Sequence, residues 1–271
     1  MSAPTPARAA LRPRLAANLR WMFTELPFEK RFAAAAEAGF AAVEYPTPYA
    51  HRAPALTRLL ADAGLRQALI NSPMGPAGSP SERGSACLPG AREEFRASID
   101  LGLEYATALD CGILHVVAGL RPAEVSEERA FDVYVENISW AAERAAGSGV
   151  TLVLEAQNSS DVPGFLVHTQ EQTAAVVDTV GSDAVRLLFD IYHVQREQGG
   201  VSEAFARLHP IIAHLQLADA PGRHQPGTGD IDWRRLFDLI ASTGYTGWIG
   251  CEYAPEPDTA SSLDWITETL T

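Results

Sequence analysis

Hydrophobic positions recur along this chain in two alternating registers. Ala-rich stretches with apolar residues at helical spacing give way, after a small residue and a glycine, to short β-prone runs. This handover occurs at Ala38-Gly39, Ala63-Gly64, Cys111-Gly112, Ser148-Gly149 and Thr243-Gly244. Glycine just past a helix tolerates the left-handed backbone that ends it, so each copy marks a helix passing into a strand. Adding the runs Leu15–Phe23, Val185–Asp190 and Ile211–Leu217 brings the predicted strands to eight. Helices are predicted at Phe28–Ala38, Pro54–Ala63, Gly90–Asp110, Glu127–Ala146, Thr169–Val180, Ser202–Leu208, Asp232–Thr243 and Ser261–Leu270. Strands alternating with helices pair in parallel, and near-continuous apolar strands are buried on both faces. The predicted fold is a single (β/α)8 TIM barrel, with a doubly wound open sheet as runner-up.

Composition adds bounds. The chain has 271 residues, 46% of them hydrophobic and 20% charged, a length that α/β barrels use as one domain. A formal net charge of −13 disfavours nucleic-acid partners and anionic membrane surfaces, because polyphosphate affinity comes mainly from Lys and Arg. Cys87, Cys111 and Cys251 are odd in number and form no CxxC pair, as expected of reduced thiols in a cytoplasmic protein. No run reaches the roughly 18 apolar residues that a bilayer span needs. Residues 1–14 carry Arg8, Arg12 and Arg14 without an acidic group and are expected to form a disordered basic arm, with residues 15–271 as the barrel.

Candidate chemistry collects at strand ends. Glu155, Asp190, Gln216 and Glu252 each close a hydrophobic run. Side chains alternate faces along a strand, so Glu155 shares a face with Val153, Asp190 with Leu188 and Gln216 with His214. Pointed inward, the four meet at the C-terminal mouth of the barrel as an all-oxygen set. Such a set suits a divalent metal ion, Mg²⁺ or Mn²⁺ ahead of Co²⁺ or Zn²⁺. Clustered carboxylates without a cation would repel one another. His193, three residues past Asp190, is a candidate to polarise a substrate oxygen, and Arg223 and His224 are candidates to hold an anionic substrate. His214 reads as a core or supporting group and Glu44 as a further supporting carboxylate. The loops 71–89 and 219–230 are rich in Gly and Pro. The string Pro226-Gly227-Thr228-Gly229 lacks a following Lys-Ser/Thr, so it reads as loop-shaping and not as a phosphate cradle.

Several strings resemble the hydroxypyruvate isomerase family of xylose-isomerase-like TIM barrels. They are Leu154-Glu155-Ala156-Gln157-Asn158 with Asp161-Val162-Pro163-Gly164-Phe165, then Phe189-Asp190-Ile191-Tyr192-His193-Val194-Gln195-Arg196. His214-Leu215-Gln216-Leu217-Ala218-Asp219, the stretch Pro221 to Asp230, and Trp248-Ile249-Gly250-Cys251-Glu252-Tyr253 follow, with Glu82-Arg83-Gly84 upstream. The resemblance covers nearly all of the chain after the basic arm. It implies that Glu155, Asp190, Gln216 and Glu252 are metal ligands and that Glu155 and Glu252 double as an acid/base pair. Strands five and eight, facing each other across the barrel, would put these glutamates on either side of the substrate. Related ketose epimerases usually carry His where Gln216 stands, so the isomerase branch is favoured. The chain departs from the family pattern at Ile70-Asn71-Ser72-Pro73, Gly75-Pro76-Ala77-Gly78 and Ala156-Gln157-Asn158, which bears on substrate contacts.

The implied reaction is metal-dependent isomerisation of hydroxypyruvate to tartronate semialdehyde through an enediolate. Alternatives are a 2-oxo-tetronate isomerase, a ketose 3-epimerase, or a non-catalytic sugar-acid-binding barrel. An apurinic endonuclease is disfavoured by the acidic charge. The expected partner is a small hydroxy or oxo acid or a sugar, and a homo-oligomer is a family-level expectation.

Overall fold

Eight parallel strands close on themselves in chain order: β1 (Leu15–Asn18), β2 (Ala42–Glu44), β3 (Arg66–Asn71), β4 (Ile113–His115), β5 (Thr151–Glu155), β6 (Val185–Asp190), β7 (Ile212–Leu217) and β8 (Ile249–Cys251). The closure is the pairing of Leu15 with Ile249 and Ala17 with Cys251. This computed structural model describes residues 6–270. Around the barrel run α1 (Pro6–Ala9), α2 (Phe28–Glu37), α3 (Ala53–Ala63), α4 (Arg92–Ala108), α5 (Glu127–Ala145), α6 (Gln170–Val180), α7 (Ile191–Glu197), α8 (Val201–Leu208), α9 (Trp233–Ser242) and α10 (Asp264–Leu270). The chain is therefore a (β/α)8 TIM barrel. Gly64 and Gly181 end α3 and α6 in the left-handed conformation that the helix-to-strand junctions require.

Three local differences from the sequence-based expectation have physical causes. β1 stops at Asn18, because the amides of Trp21 and Met22 turn back onto the Asn18 carbonyl at 3.0 and 2.8 Å. α7 follows β6 with no connection: Asp190 ends the strand and caps the helix, its Oδ1 accepting the Tyr192 amide at 2.8 Å. The expected disordered arm is ordered from Pro6 onward. There Arg8 pairs with Asp238 of α9 at 2.9 Å and Leu11 joins the core. Residues 1–5 of that arm lie outside the described residues.

The main core fills the space between strands and helices. Inside the barrel, Ala16, Ala42 and Ala68 form a small apolar layer, and Leu69, Val153 and Leu188 form another. Above these the interior turns polar. Glu44 and His214 are fully buried there, and a Cβ on Gly250 would run into the Glu44 carboxylate, so the glycine makes room for that charge. Cys87, Cys111 and Cys251 are free and buried, and burial raises each thiol's pKa. No helix among the described residues is long and apolar enough to cross a membrane.

Candidate active site

Inward-facing residues at the strand ends build a polar floor and a reactive layer above it. On the floor, Glu44 Oε2 lies 2.7 Å from His214 Nε2, while its Oε1 accepts from Asn18 Nδ2 at 2.9 Å and from Gln216 Nε2 at 2.8 Å. Gln216 therefore gives its amide protons to Glu44 and keeps its carbonyl oxygen for the cavity it lines. Asn18 also donates to Glu252 Oε1 at 3.1 Å, which ties the floor to the layer above.

In that layer, Glu155, Asp190 and His193 have donor atoms within 4.8 Å of one another. Arg223 joins Asp190 to Glu252, its Nη2 lying 2.8 Å from Glu252 Oε2 and 3.5 Å from Asp190 Oδ2. Its guanidinium stacks over Trp21 at 5.1 Å and Tyr192 at 4.8 Å. Burial opposes the Arg223 charge, but Glu252, Asp190 and Glu155 outweigh burial and raise its pKa. Burial, then the charges of Asp190 and Glu252, push the Glu155 carboxyl well above the usual range. Glu252 is pushed up to about 7 by burial, with Arg223 opposing the rise.

These residues fit a divalent cation. Asp190 Oδ2 is buried and accepts no hydrogen bond. The neighbouring donors are hard oxygens whose mutual repulsion a cation would relieve. His193 plays a different part. Its Nδ1 takes the Asn158 amide at 3.2 Å and the Asn158 side chain at 2.7 Å, so Nε2 carries the ring proton and points at Asp190, 3.6 Å away. Burial lowers the His193 pKa to about 4, so the ring is a neutral donor.

The cavity, about 140 Å³, brings together Glu155, Gln216, Glu252, His193 and Arg223 from the sequence-based set. Asp190 stands directly behind Arg223 and His193. His224 is not among them: its Nδ1 faces the Ala254 carbonyl at 2.8 Å and its Nε2 lies 3.6 Å from Glu256. It shapes the loop and does not reach the cavity, because its ring is drawn outward to the segment after β8. β5 and β8 also stand three strands apart with β6 and β7 between them, so they are not directly opposed. The Pro226–Gly229 string is loop-shaping as expected, with Gly227 donating to Asp219 Oδ2 at 2.8 Å.

Sequence reasoning missed His115, Arg20 and Arg83, which also line the cavity, and treated Asn71 and Gln157 only as departures from a pattern. His115 ends β4, and the signal that singled out Glu155 would have found it. Its Nδ1 is 3.3 Å from Asn71 Oδ1 and its Nε2 is 3.6 Å from Glu155 Oε2. Burial holds its pKa down at about 3. Gln157 Nε2 donates to Glu155 Oε2 at 2.6 Å. Arg83 stands in the Glu82-Arg83-Gly84 string of the family resemblance without an assigned role, and no local pattern marks Arg20.

A profile of the xylose isomerase-like TIM barrel family matches residues 32–269. The chain belongs to that family. It is 42% identical over 254 residues to the 2-oxo-tetronate isomerase of Cupriavidus necator, covering 94% of this chain and 97% of that protein. It is 38% identical over 253 residues to the hydroxypyruvate isomerase of Escherichia coli, covering 93% and 98%. A crystal structure described as an AP endonuclease, family 2, from Brucella melitensis superposes with a TM-score of 0.91 at 37% identity, covering 96% of this chain and all of that one. Similarity of this extent to proteins named as isomerases makes the chain an isomerase.

Proposed function

We propose that this isomerase moves a carbonyl between neighbouring carbons of a short hydroxy-oxo acid. Hydroxypyruvate going to tartronate semialdehyde is the simplest case. The observation that carries the reading is the convergence of Glu155, Gln216 and Glu252 on one cavity, with Asp190 Oδ2, which accepts no hydrogen bond, beside them. A Mg²⁺ or Mn²⁺ ion held by Glu155, Asp190, the Gln216 carbonyl and Glu252 would supply Lewis-acid stabilisation of charge developing on the substrate oxygens.

The protein's own groups would do the rest. One of Glu155 and Glu252 takes the proton from the hydroxyl-bearing carbon, the other returns a proton to the adjacent carbon once the enediolate has formed, and the hydroxyl proton passes from the oxygen that becomes the carbonyl to the one that becomes the hydroxyl. Gln157 holds one oxygen of Glu155, while Asn18 and Arg223 hold both oxygens of Glu252, so each base keeps a fixed direction. The His193 Nε2–H, on the cavity wall 3.6 Å from Asp190 Oδ2, would donate to a substrate oxygen that gains charge. Trp21, Val117 and Val162 line the cavity and exclude water from the intermediate.

A second reading, 2-oxo-tetronate as the substrate, is favoured by the 42% identity to the Cupriavidus protein. The two acids undergo the same carbonyl shift and differ by one hydroxymethyl group. Nucleic acid is disfavoured by the net charge of −13.

The test is proton NMR in D₂O with the Mg²⁺- or Mn²⁺-supplemented protein and a panel of hydroxypyruvate, 2-oxo-tetronate and ketoses of four to six carbons. Deuterium should enter the carbon-bound position of one or both acids as product appears. Turnover of ketoses alone would replace this reading with a 3-epimerase, and no exchange with any compound would leave a binding barrel.

A further inference from the structure

With a divalent ion bound, the reaction layer would be balanced in formal charge before a substrate arrives. Arg223 is committed to Glu252 and Asp190 and is held between Trp21 and Tyr192. Formal charges on Glu155, Asp190, Glu252, Arg223 and a divalent ion cancel, and the Glu44 carboxylate lies just beneath. Nothing in that layer is left to neutralise a substrate carboxylate, and an anion placed there meets mostly acceptors.

The same cavity has two further cations on its wall. Arg20 and Arg83 line it together with Trp21, Asn71, Met74 and Pro46, and both are exposed. Neither guanidinium makes a hydrogen bond or ion pair among the described residues, although the Arg20 charge lies close enough to Glu252 to oppose the rise in its pKa, and both backbones are firmly held. The amide of Arg20 donates to Asn18 Oδ1 at 3.1 Å, on the residue that also holds Glu44 and Glu252.

Arg83 precedes Gly84, whose φ of +105° brings the chain against the Val117 carbonyl so closely that a Cβ would collide with it. Just beyond, the Cys87 amide bonds the Ala118 carbonyl at 2.8 Å, and Asn137 Nδ2 bonds the Ala86 carbonyl at 2.8 Å. The long β3–α4 loop is thus stapled to the chain leaving β4, and it offers one free guanidinium to the cavity. A fixed backbone with an uncommitted planar donor fork is the arrangement that binds a carboxylate in two-point fashion.

We propose that Arg83, together with Arg20, is the receptor for the substrate carboxylate and makes this barrel select 2-oxo acids over neutral ketoses. The inference rests on the hydroxy-oxo acid reading above and names the part of the site that recognises the acid. Proton transfer at the adjacent carbons belongs to Glu155 and Glu252, so the arginines act on binding and selectivity.

The experiment compares wild type with Arg83→Gln, Arg20→Gln, the double variant and Arg83→Lys. Substrates are hydroxypyruvate and 2-oxo-tetronate against dihydroxyacetone and erythrulose, in which a hydroxymethyl group replaces the carboxylate. Affinity for the acids is also measured by calorimetry in a Glu155→Gln background. KM for the acids should rise roughly ten- to a hundredfold in the Gln variants with kcat largely kept, the scale of one charge-assisted hydrogen bond. Any turnover of the neutral compounds should be unchanged, Arg83→Lys should recover part of the loss, and calorimetric affinity should fall by the same factor. Unaltered KM and affinity in the double variant would overturn the assignment while leaving the isomerase reading intact. If wild type does not prefer the acids to their neutral counterparts, the substrate reading itself fails, whatever the arginines do.

Discussion

Glu155 and Glu252 are each turned into a defined direction by neighbours that do not react. Gln157 reaches Glu155 from two residues on, whereas Asn18 and Arg223 reach Glu252 from β1 and from the loop after β7. Beneath them Glu44 orients the Gln216 amide, a task that Gly250 permits by having no side chain. Replacing Glu155 or Glu252 with Gln keeps shape and removes the carboxylate proposed as a base. Each variant should fold normally by circular dichroism and lose about 10²–10⁴ in kcat. Near-normal turnover in either variant would remove that glutamate from the proton-transfer pair. His193 and His115 stay neutral near their carboxylates, because burial in the barrel mouth disfavours a second proton on each ring.

At the scale of elements, the site depends on short handovers. Asp190 belongs to a strand and to the next helix at once, so its Oδ1 is used by the Tyr192 amide and only Oδ2 remains for a ligand. The loop that carries Arg223 is gathered by Asp219, which accepts from Ala220, Gly227 and the Trp233 ring at 2.8–2.9 Å. At the opposite end of the chain, α1 and the turn after it pack on α9 and α10 instead of trailing into solvent. Leu11 is 3% exposed there, so Leu11→Ala should lower stability by about 2–5 kcal/mol. The shift of the urea midpoint measures it. An unmoved midpoint would mean that this segment does not pack in solution.

For the whole molecule, a closed barrel gathers carboxylates from β5, β6 and the end of β8 into one partly dry mouth, at a cost to stability unless a cation joins them. A ligand that binds only the folded state stabilises it by mass action, by about 2.7 kcal/mol at a hundred times its Kd. Added Mg²⁺ or Mn²⁺ should therefore raise the thermal midpoint by roughly 5–10 °C in a protein of this size. A chelator should reverse the rise, and Glu155→Gln should reduce it. A midpoint indifferent to both ions would argue against the metal assignment independently of any assay. With a net charge of −13, the proposed anionic substrate would have to be drawn in by a local pair of arginines and not by an overall positive field.

The sequence by itself determined the barrel, because helical and strand periodicities alternate eight times and Gly64, Gly112 and Gly149 mark where each helix gives way. It also located Glu155, Asp190, Gln216 and Glu252, since a polar residue that ends a buried strand stands out against its apolar neighbours. Only the tertiary structure decided which other side chains share their cavity. Arg20 and Arg83 lie 63 positions apart on irregular loops, where neither periodicity nor spacing marks a residue, and they share a cavity because the loops after β1 and β3 open onto the same mouth of the barrel. His224 shows the converse: adjacent in sequence to Arg223, it faces away, because the left-handed turn at Arg223 sends neighbouring side chains in different directions. The placement of Arg8 was hidden for the same reason, as its partners Asp238 and Thr269 sit on α9 and α10, more than two hundred residues later.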